Sequence, residues 1–263
     1  MNKEQRVVGV IPARLASTRL PRKVLRTLAG KPMLAWVVEA ARACSRLDQV
    51  VVATDSDEVM ALAAAHGWSA MLTSAALQSG SDRVCAVAGS VAADIYVNIQ
   101  GDEPLLLPEH IDALLAPFGR LGDGAQVSTL WTHCPADEVG DPNVVKVVLA
   151  EDGRALYFSR TAIPYYRDGQ DRDGASAAQH AKHIGMYAYR RAALERFASL
   201  PAGRLEQIER LEQLRLLEHG IAIHAEYTPY ATIGVDTEAD VERAAAALAS
   251  RHERIFPPAN AEI

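Results

Sequence analysis

Apolar positions along the chain fall into short, nearly continuous runs at 7–11, 50–54, 70–73, 95–99 and 127–131, each closed by turn residues. Between them, segments 33–44, 57–66, 82–91 and 109–118 repeat apolar residues at helical spacing. Strands with Val and Ile at successive positions are buried on both faces. Their alternation with helices specifies an α/β fold with a mostly parallel sheet between helical layers. The pattern changes after about residue 135. Runs at 144–149 and 155–158 flank Asp152-Gly153 and predict a β-hairpin. The polar stretch 167–179 predicts a flexible loop. A strand at 184–189, helices at 191–198 and 205–219, a strand at 221–227 and a terminal helix at 238–251 follow. The last residues, 256–263, contain Pro257-Pro258 and read as a frayed tail. With no internal repeat and no linker, 1–263 is expected to be a single domain. It divides into an α/β half at 7–134, a β-hairpin and helical elaboration at 135–251, and a tail at 252–263.

Composition narrows the function classes. A hydrophobic fraction of 49% and a charged fraction of 23% belong to an ordinary globular protein. The formal charge of −6 argues against wholesale binding of nucleic acid or anionic membrane, so any polyanion site must be a local basic patch. Cys44, Cys85 and Cys134 are widely spaced and odd in number. They read as reduced thiols, which predicts a cytoplasmic setting. No run approaches the length of a membrane span, and no apolar leader follows the polar first residues.

That basic patch is visible in Ile11-Pro-Ala-Arg-Leu-Ala-Ser-Thr-Arg-Leu-Pro-Arg-Lys23. A buried strand feeds a loop carrying Arg14, Arg19, Arg22 and Lys23 with small residues between them. Small side chains let a ligand approach backbone N–H groups, and the cations can neutralise a polyphosphate. A strand, a cationic loop and a helix starting near Pro32 suggest a nucleotide-phosphate site, although neither a Walker loop nor a Gly-x-Gly-x-x-Gly turn is present. Ile99-Gln-Gly-Asp-Glu-Pro104 ends a central strand, where open α/β sheets bind ligands. Asp102 is read there as a magnesium ligand or as a turn-former. Asp236, in Ile233-Gly-Val-Asp236, is read as a second metal carboxylate or as the N-cap of the terminal helix.

The basic loop, Gln78-Ser-Gly80 with Arg83, Gln100-Gly-Asp-Glu-Pro104, Tyr157-Phe-Ser-Arg160, His183 with Tyr187, Leu211-Glu-Gln-Leu-Arg215 and Gly234-Val-Asp236 occur in that order. This ordered set resembles the 3-deoxy-manno-octulosonate cytidylyltransferase (CMP-Kdo synthetase) family over nearly the whole chain. The resemblance implies a Rossmann-like nucleotide-diphospho-sugar transferase fold, usually homodimeric, that activates Kdo with CTP and magnesium for lipopolysaccharide synthesis. It makes 7–134 the nucleotide-binding half and 135–251 the sugar-acid-binding and dimerisation part. It also implies roles: Arg14 and Lys23 on the CTP phosphates, with Ala13, Gln78, Ser79, Gly80 and Arg83 around the nucleotide. Gln100 would lie between nucleotide and sugar acid, and Asp102 and Asp236 would hold magnesium. Arg160, His183, Tyr187, Glu212 and Gln213 would form the sugar-acid pocket. Without the motif context, Glu212 and Gln213 read as a solvated helix face, Arg160 as a surface ion-pair partner, and His183 as a satisfied strand histidine.

The chain departs from the family pattern at Leu77, where His is usual, at Ser81-Asp82 for Thr-Glu, and at Arg22 and Val24 for Gly and Pro. Losing the glycine at position 22 removes backbone freedom there. The expected reaction is CMP transfer from CTP to the anomeric hydroxyl of Kdo with release of pyrophosphate. The rivals are a cytidylyltransferase for 8-amino-Kdo, a sialic-like acid or a small phosphonate, and a catalytically silent nucleotide-binding subunit.

Overall fold

The computed structural model describes residues 5–16, 19–77, 79–167 and 180–255, with side chains through 250. Gln78, Ser17 and Thr18, most of the polar loop and the tail at 256–263 lie outside the described residues.

Strand β1 (Val7–Pro12) is flanked in parallel by β4 (Gln49–Thr54) and β6 (Ile95–Asn98), and β5 (Ser69–Leu72) extends the sheet beyond β4. On the other side, β10 (Ala181–Arg190) runs antiparallel between β6 and β7 (Val127–His133), while β11 (Ile223–Tyr227) pairs in parallel with β7. The expected hairpin forms as β8 (Lys146–Leu149) and β9 (Ala155–Ser159), and β8 joins the sheet through β10. Its turn places Gly153 at φ 82. The register of β10 against β7 slips between Ile184 and Tyr187, a bulge that leaves the Gly185 carbonyl free to accept from Gln100 Nε2 at 2.8 Å.

Helices α1 (Met33–Ala43), α2 (Asp57–Ala65) and α4 (Pro108–Leu121) cover one face of the sheet, burying Val37, Leu34, Ile111 and Leu114. Helices α3 (Gly80–Ala88) and α5 (Arg191–Ser199) cover the other, with Val84, Leu194 and Phe197 in the core. The start of α3 is fixed by a capping box in which the Ser79 hydroxyl and the Asp82 carboxylate each accept the other's N–H at 3.1 Å. A third apolar cluster ties α8 (Glu238–Ile255) to Leu20 of the basic loop, Leu105 and Val235.

Two features differ from the sequence reading. A small hairpin, β2 (Thr27–Leu28) with β3 (Lys31–Pro32), precedes α1, turning through Ala29 and Gly30 at positive φ. The helix expected at 205–219 is two, α6 (Arg204–Glu209) and α7 (Gln213–Glu218), broken where Arg210 turns left-handed at φ 56, ψ 47. Arg160 stabilises the break: Nε donates to the Glu209 carbonyl at 2.7 Å and Nη2 to the Arg210 carbonyl at 3.3 Å. These are carbonyls that a continuous helix would have satisfied itself.

Candidate active site

The chemistry gathers at the carboxyl ends of β1 and β6. Gly101 makes the approach of these two strand ends possible, because a Cβ there would lie 2.6 Å from the Pro12 carbonyl oxygen. Lys23 follows the basic loop in a single 3-10 turn, and its ammonium bonds both the Asp102 carboxylate and, at 2.9 Å, Asp236 Oδ1. Arg19 donates to the other Asp236 oxygen at 2.7 Å. Main chain reinforces the junction, as Val235 N–H donates to the Asp102 carbonyl at 3.0 Å. Burial disfavours the Lys23 ammonium, but the two carboxylates outweigh it and raise its pKa above the ordinary value. Three segments far apart in sequence thus meet at one charge. Two carboxylates bonded to a common ammonium lie within about twice a hydrogen-bond length of each other. They have the donor chemistry that magnesium uses alongside phosphate oxygens and water. Asp102 and Asp236 therefore fit a divalent cation.

Arg22, at the position where the family has glycine, adopts φ 59, ψ 28, the left-handed region that glycine enters without penalty. Val24 is buried in the main core, so this departure is a packing choice.

A cavity of about 820 Å³ opens beside the charged junction, lined by Asp236 and Arg19 and by residues of β10 and the start of α7. Gln100, His183, Tyr187, Glu212 and Gln213 all line it. His183 Nε2 lies 2.9 Å from the Thr129 hydroxyl, whose proton goes to the Met186 carbonyl at 2.7 Å. The imidazole nitrogen must then be the donor, leaving Nδ1 as the ring's acceptor. Desolvation pushes the His183 pKa down to about 3, so the ring is neutral near pH 7. Burial pushes Tyr187 well up, keeping its phenol protonated. Burial also raises Glu212, opposed by hydrogen bonds from Ser81 and Ser79. His183, Tyr187, Gln100 and Gln213 thus present neutral polar groups to the cavity, suited to hydroxyls, among charged neighbours such as Lys182 and Glu212.

Two expected site residues, Arg160 and Arg83, turn away from the cavity, and a third, Ala13, keeps only part of its backbone for a ligand. Arg160 is not among the residues lining the cavity. Its guanidinium is held by the Glu209 and Arg210 carbonyls and by the Pro142 carbonyl at 2.9 Å, so its fork grips a helix end where a sugar carboxylate was expected. Arg83 is buried under the start of α3, with Nη2 donating to Asp55 at 2.7 Å and Nη1 to Thr73. It supports the loop before α3 from below. Ala13 is buried and its N–H donates to the Ala53 carbonyl at 2.9 Å, which leaves only its carbonyl for a ligand. Arg14 is exposed beside it, Ser79 and Gly80 open α3, and Gln78 lies outside the described residues.

Sequence reasoning missed Lys182, Glu103 and Asp240, all of which line the cavity. Lys182 bonds Glu138. Glu103 is buried beside Asp102 and its pKa rises to about 7, from burial first and then from the neighbouring carboxylate. Asp240 carried a signal in Thr237-x-x-Asp240, a capping-box spacing directly after Asp236.

A family model described as cytidylyltransferase matches residues 8–223. The 3-deoxy-manno-octulosonate cytidylyltransferase of Acidobacterium capsulatum is 61% identical over 235 residues, 89% of this chain and 93% of that protein. Its namesake from Koribacter versatilis is 52% identical over 247 residues, 94% of this chain and 92% of that one. A solved structure of CMP:2-keto-3-deoxy-manno-octonic acid synthetase complexed with CTP superposes with a TM-score of 0.87 at 42% identity, covering 94% of this chain and 99% of that one. A cytidylyltransferase from Leptospira borgpetersenii, at 17% identity and a TM-score of 0.61, shares the fold. Matched over most of its length at such identity, the chain belongs to the cytidylyltransferase family and, within it, to the 3-deoxy-manno-octulosonate cytidylyltransferases.

Proposed function

We propose that the chain transfers CMP from CTP to the anomeric hydroxyl of Kdo and releases pyrophosphate. The observation that carries this reading is the meeting of Lys23, Asp102 and Asp236 at one charged junction, from which Asp236 reaches a cavity that Gln100, His183, Tyr187, Glu212 and Gln213 also line. In the reaction the anomeric oxygen forms a bond to the α-phosphorus while the bond to the bridging oxygen breaks, and pyrophosphate leaves with that electron pair. Negative charge builds on the phosphate oxygens, and Lys23, Arg14 and Arg19 offset it from fixed positions. Magnesium held by Asp102 and Asp236 would add charge neutralisation at the phosphates and acidify the attacking hydroxyl. Gln100 stands between the two substrates, its amide oriented by the Gly185 carbonyl. His183 Nδ1, the Tyr187 phenol, Glu212 and Gln213 read the sugar hydroxyls. Cavity volume favours a polyhydroxylated acid over a small phosphonate.

The same reading includes a homodimer, supported by the family resemblance, and a cytoplasmic setting, supported by three unpaired thiols. Among the described residues no helix is long and apolar enough to cross a membrane. The test is pyrophosphate release from CTP and magnesium with Kdo, 8-amino-Kdo, a sialic acid and short carboxy-phosphonates. Kdo should give the highest kcat/KM. A three-carbon acid that outperforms it tenfold would overturn the substrate assignment, and no release with any acid would favour a silent nucleotide-binding subunit.

A further inference from the structure

The segment holding Asp236 has no regular secondary structure, being a turn between β11 and α8. A carboxylate on such a turn has no ladder to orient it, yet Asp236 must meet both Lys23 and Arg19. What holds it is the first turn of α8. One oxygen of Asp240, Oδ2, accepts from the Asp236 N–H at 3.1 Å, the Thr237 N–H at 2.9 Å and the Thr237 hydroxyl at 2.8 Å. The Asp240 N–H returns to the Thr237 hydroxyl at 3.3 Å, closing a capping box. The other carboxylate oxygen accepts from Arg243 at 2.5 Å. An ordinary capping box ends at its N-cap residue. This one reaches one residue further back and fixes the peptide plane of Asp236 itself.

The helix that carries the box is in turn anchored to the rest of the site. Val241, Ala244 and Leu248 of α8 pack in the cluster that includes Leu20 of the basic loop, Leu105 after the Asp102 turn, and Val235. The helix therefore touches all three segments that supply Lys23, Asp102 and Asp236. We propose that Asp240 is a positioning residue for nucleotidyl transfer, holding Asp236 in the orientation in which it and Asp102 bind one divalent cation. The assignment rests on the functional reading above for its consequence in turnover, but its geometric content is independent of which acid is the substrate. Glutamate at 240 would push the acceptor oxygen out by one methylene, and alanine would remove it. Asparagine keeps one oxygen but loses the charge that makes three simultaneous donors favourable.

The experiment uses the full chain and Mn²⁺ as the probe, followed by its EPR signal in the presence of CTP, alongside thermal unfolding in EDTA. Asp240→Ala should weaken Mn²⁺ binding at least fivefold and raise the half-saturating Mg²⁺ concentration for turnover by a similar factor. The KM for the acid at saturating Mg²⁺ should stay within twofold. Asp240→Asn should lie between. Ala239→Gly, at an exposed position in the same helical turn, weakens the helix without touching the box. It should lower Tm and leave Mn²⁺ affinity unchanged. If Asp240→Ala and Ala239→Gly lower Tm alike and both retain wild-type Mn²⁺ affinity, Asp240 only caps the helix and the assignment is overturned. Failure of the wild type to bind Mn²⁺ would overturn it as well. Weakened Mn²⁺ binding in a protein that releases no pyrophosphate with Kdo would leave this assignment standing and remove the substrate reading instead.

Discussion

Lys23→Met isolates the charge on which the site is built. The substitution keeps an unbranched stem up to Cε and removes the ammonium that Asp102 and Asp236 share. Two unit charges about 4 Å apart interact by roughly 4 kcal/mol at an effective dielectric constant near 20. The side chains are 14% exposed for Lys23, 26% for Asp102 and 40% for Asp236, so water screens the second pair more than the first. Discounting both, the Asp102 contact contributes about 1–2 kcal/mol and the Asp236 contact about 1 kcal/mol or less. Without divalent cation the variant should therefore lose about 1–3 kcal/mol, equivalent to roughly 2–12 °C in Tm for a domain of this size. Two carboxylates left facing each other should then gain more than wild type from an added cation. Thermal unfolding in EDTA and again in millimolar Mg²⁺ reads both effects, with the gap between variant and wild type narrowing in Mg²⁺. Turnover should remain depressed by about 10²–10³-fold, because the phosphate contact proposed for Lys23 is one the cation cannot also take over. Equal Tm values in EDTA and equal Mg²⁺ shifts would show that the two carboxylates do not share Lys23, and the description of the site would fail.

Other consequences can be checked with the same protein. Arg22→Gly relieves a left-handed backbone at φ 59 but gives up an exposed ion pair to Glu58 and some unfolded-state restriction, so a net gain of about 0.5–1 kcal/mol is expected in chemical denaturation. Arg160→Lys loses the fork that closes the end of α6. It should lower Tm by roughly 3–6 °C and raise the KM for the acid more than that for CTP, because Arg210 leads directly to Glu212 and Gln213. His183 and Glu103 oppose each other with pH. A histidine pKa lowered to about 3 withdraws stability as pH falls below the ordinary 6.5, whereas a carboxyl pKa raised to about 7 adds stability as pH falls from 7 towards 4.5. Wild-type Tm in EDTA should be nearly flat between pH 6.5 and 4.5 on account of this pair. His183→Gln should leave the Glu103 slope alone and gain relative stability on acidification, so parallel curves would refute the assignment.

Much of the fold was legible because its signals are local. The runs at 7–11, 50–54 and 95–99 alternate with helices in a way that only a covered parallel sheet accommodates, and they became β1, β4 and β6 within a residue or two. Asp152-Gly153 marked the hairpin of β8 and β9 by turn chemistry alone. The break at Arg210 had no such mark. Residues 205–219 contain neither glycine nor proline before Gly220, and their apolar spacing suits one helix. The interruption comes from outside the segment. The Glu209 carboxylate accepts from the Ser159 hydroxyl at 2.6 Å and the Arg160 N–H at 3.0 Å, and the Arg160 guanidinium takes the carbonyls that the break exposes. A tertiary bond network overrides propensity here.

The same limit separates the candidate residues that meet at the charged junction from those that turn away from it. Asp102 and Asp236 were identifiable because each ends an apolar run, and a carboxylate at a strand's carboxyl end or beside a helix start has few places to go. Arginine has many. Arg19, Arg83 and Arg160 all belong to motifs of the ordered set, yet only Arg19 lines the cavity, while Arg83 and Arg160 turn inward to Asp55 and to main-chain carbonyls. The five donors that suit a guanidinium to a carboxylate or a phosphate suit it equally to a frayed helix end. A motif fixes which residue type is needed at a position, and the local acceptors decide which way it points. At Arg160 those acceptors exist only because the chain breaks at Arg210, and the break in turn brings Glu212 and Gln213 to the wall of the cavity. Arg160 therefore shapes this wall of the cavity, and a pattern of residues along the chain carries no means of distinguishing such a role from direct contact with a ligand.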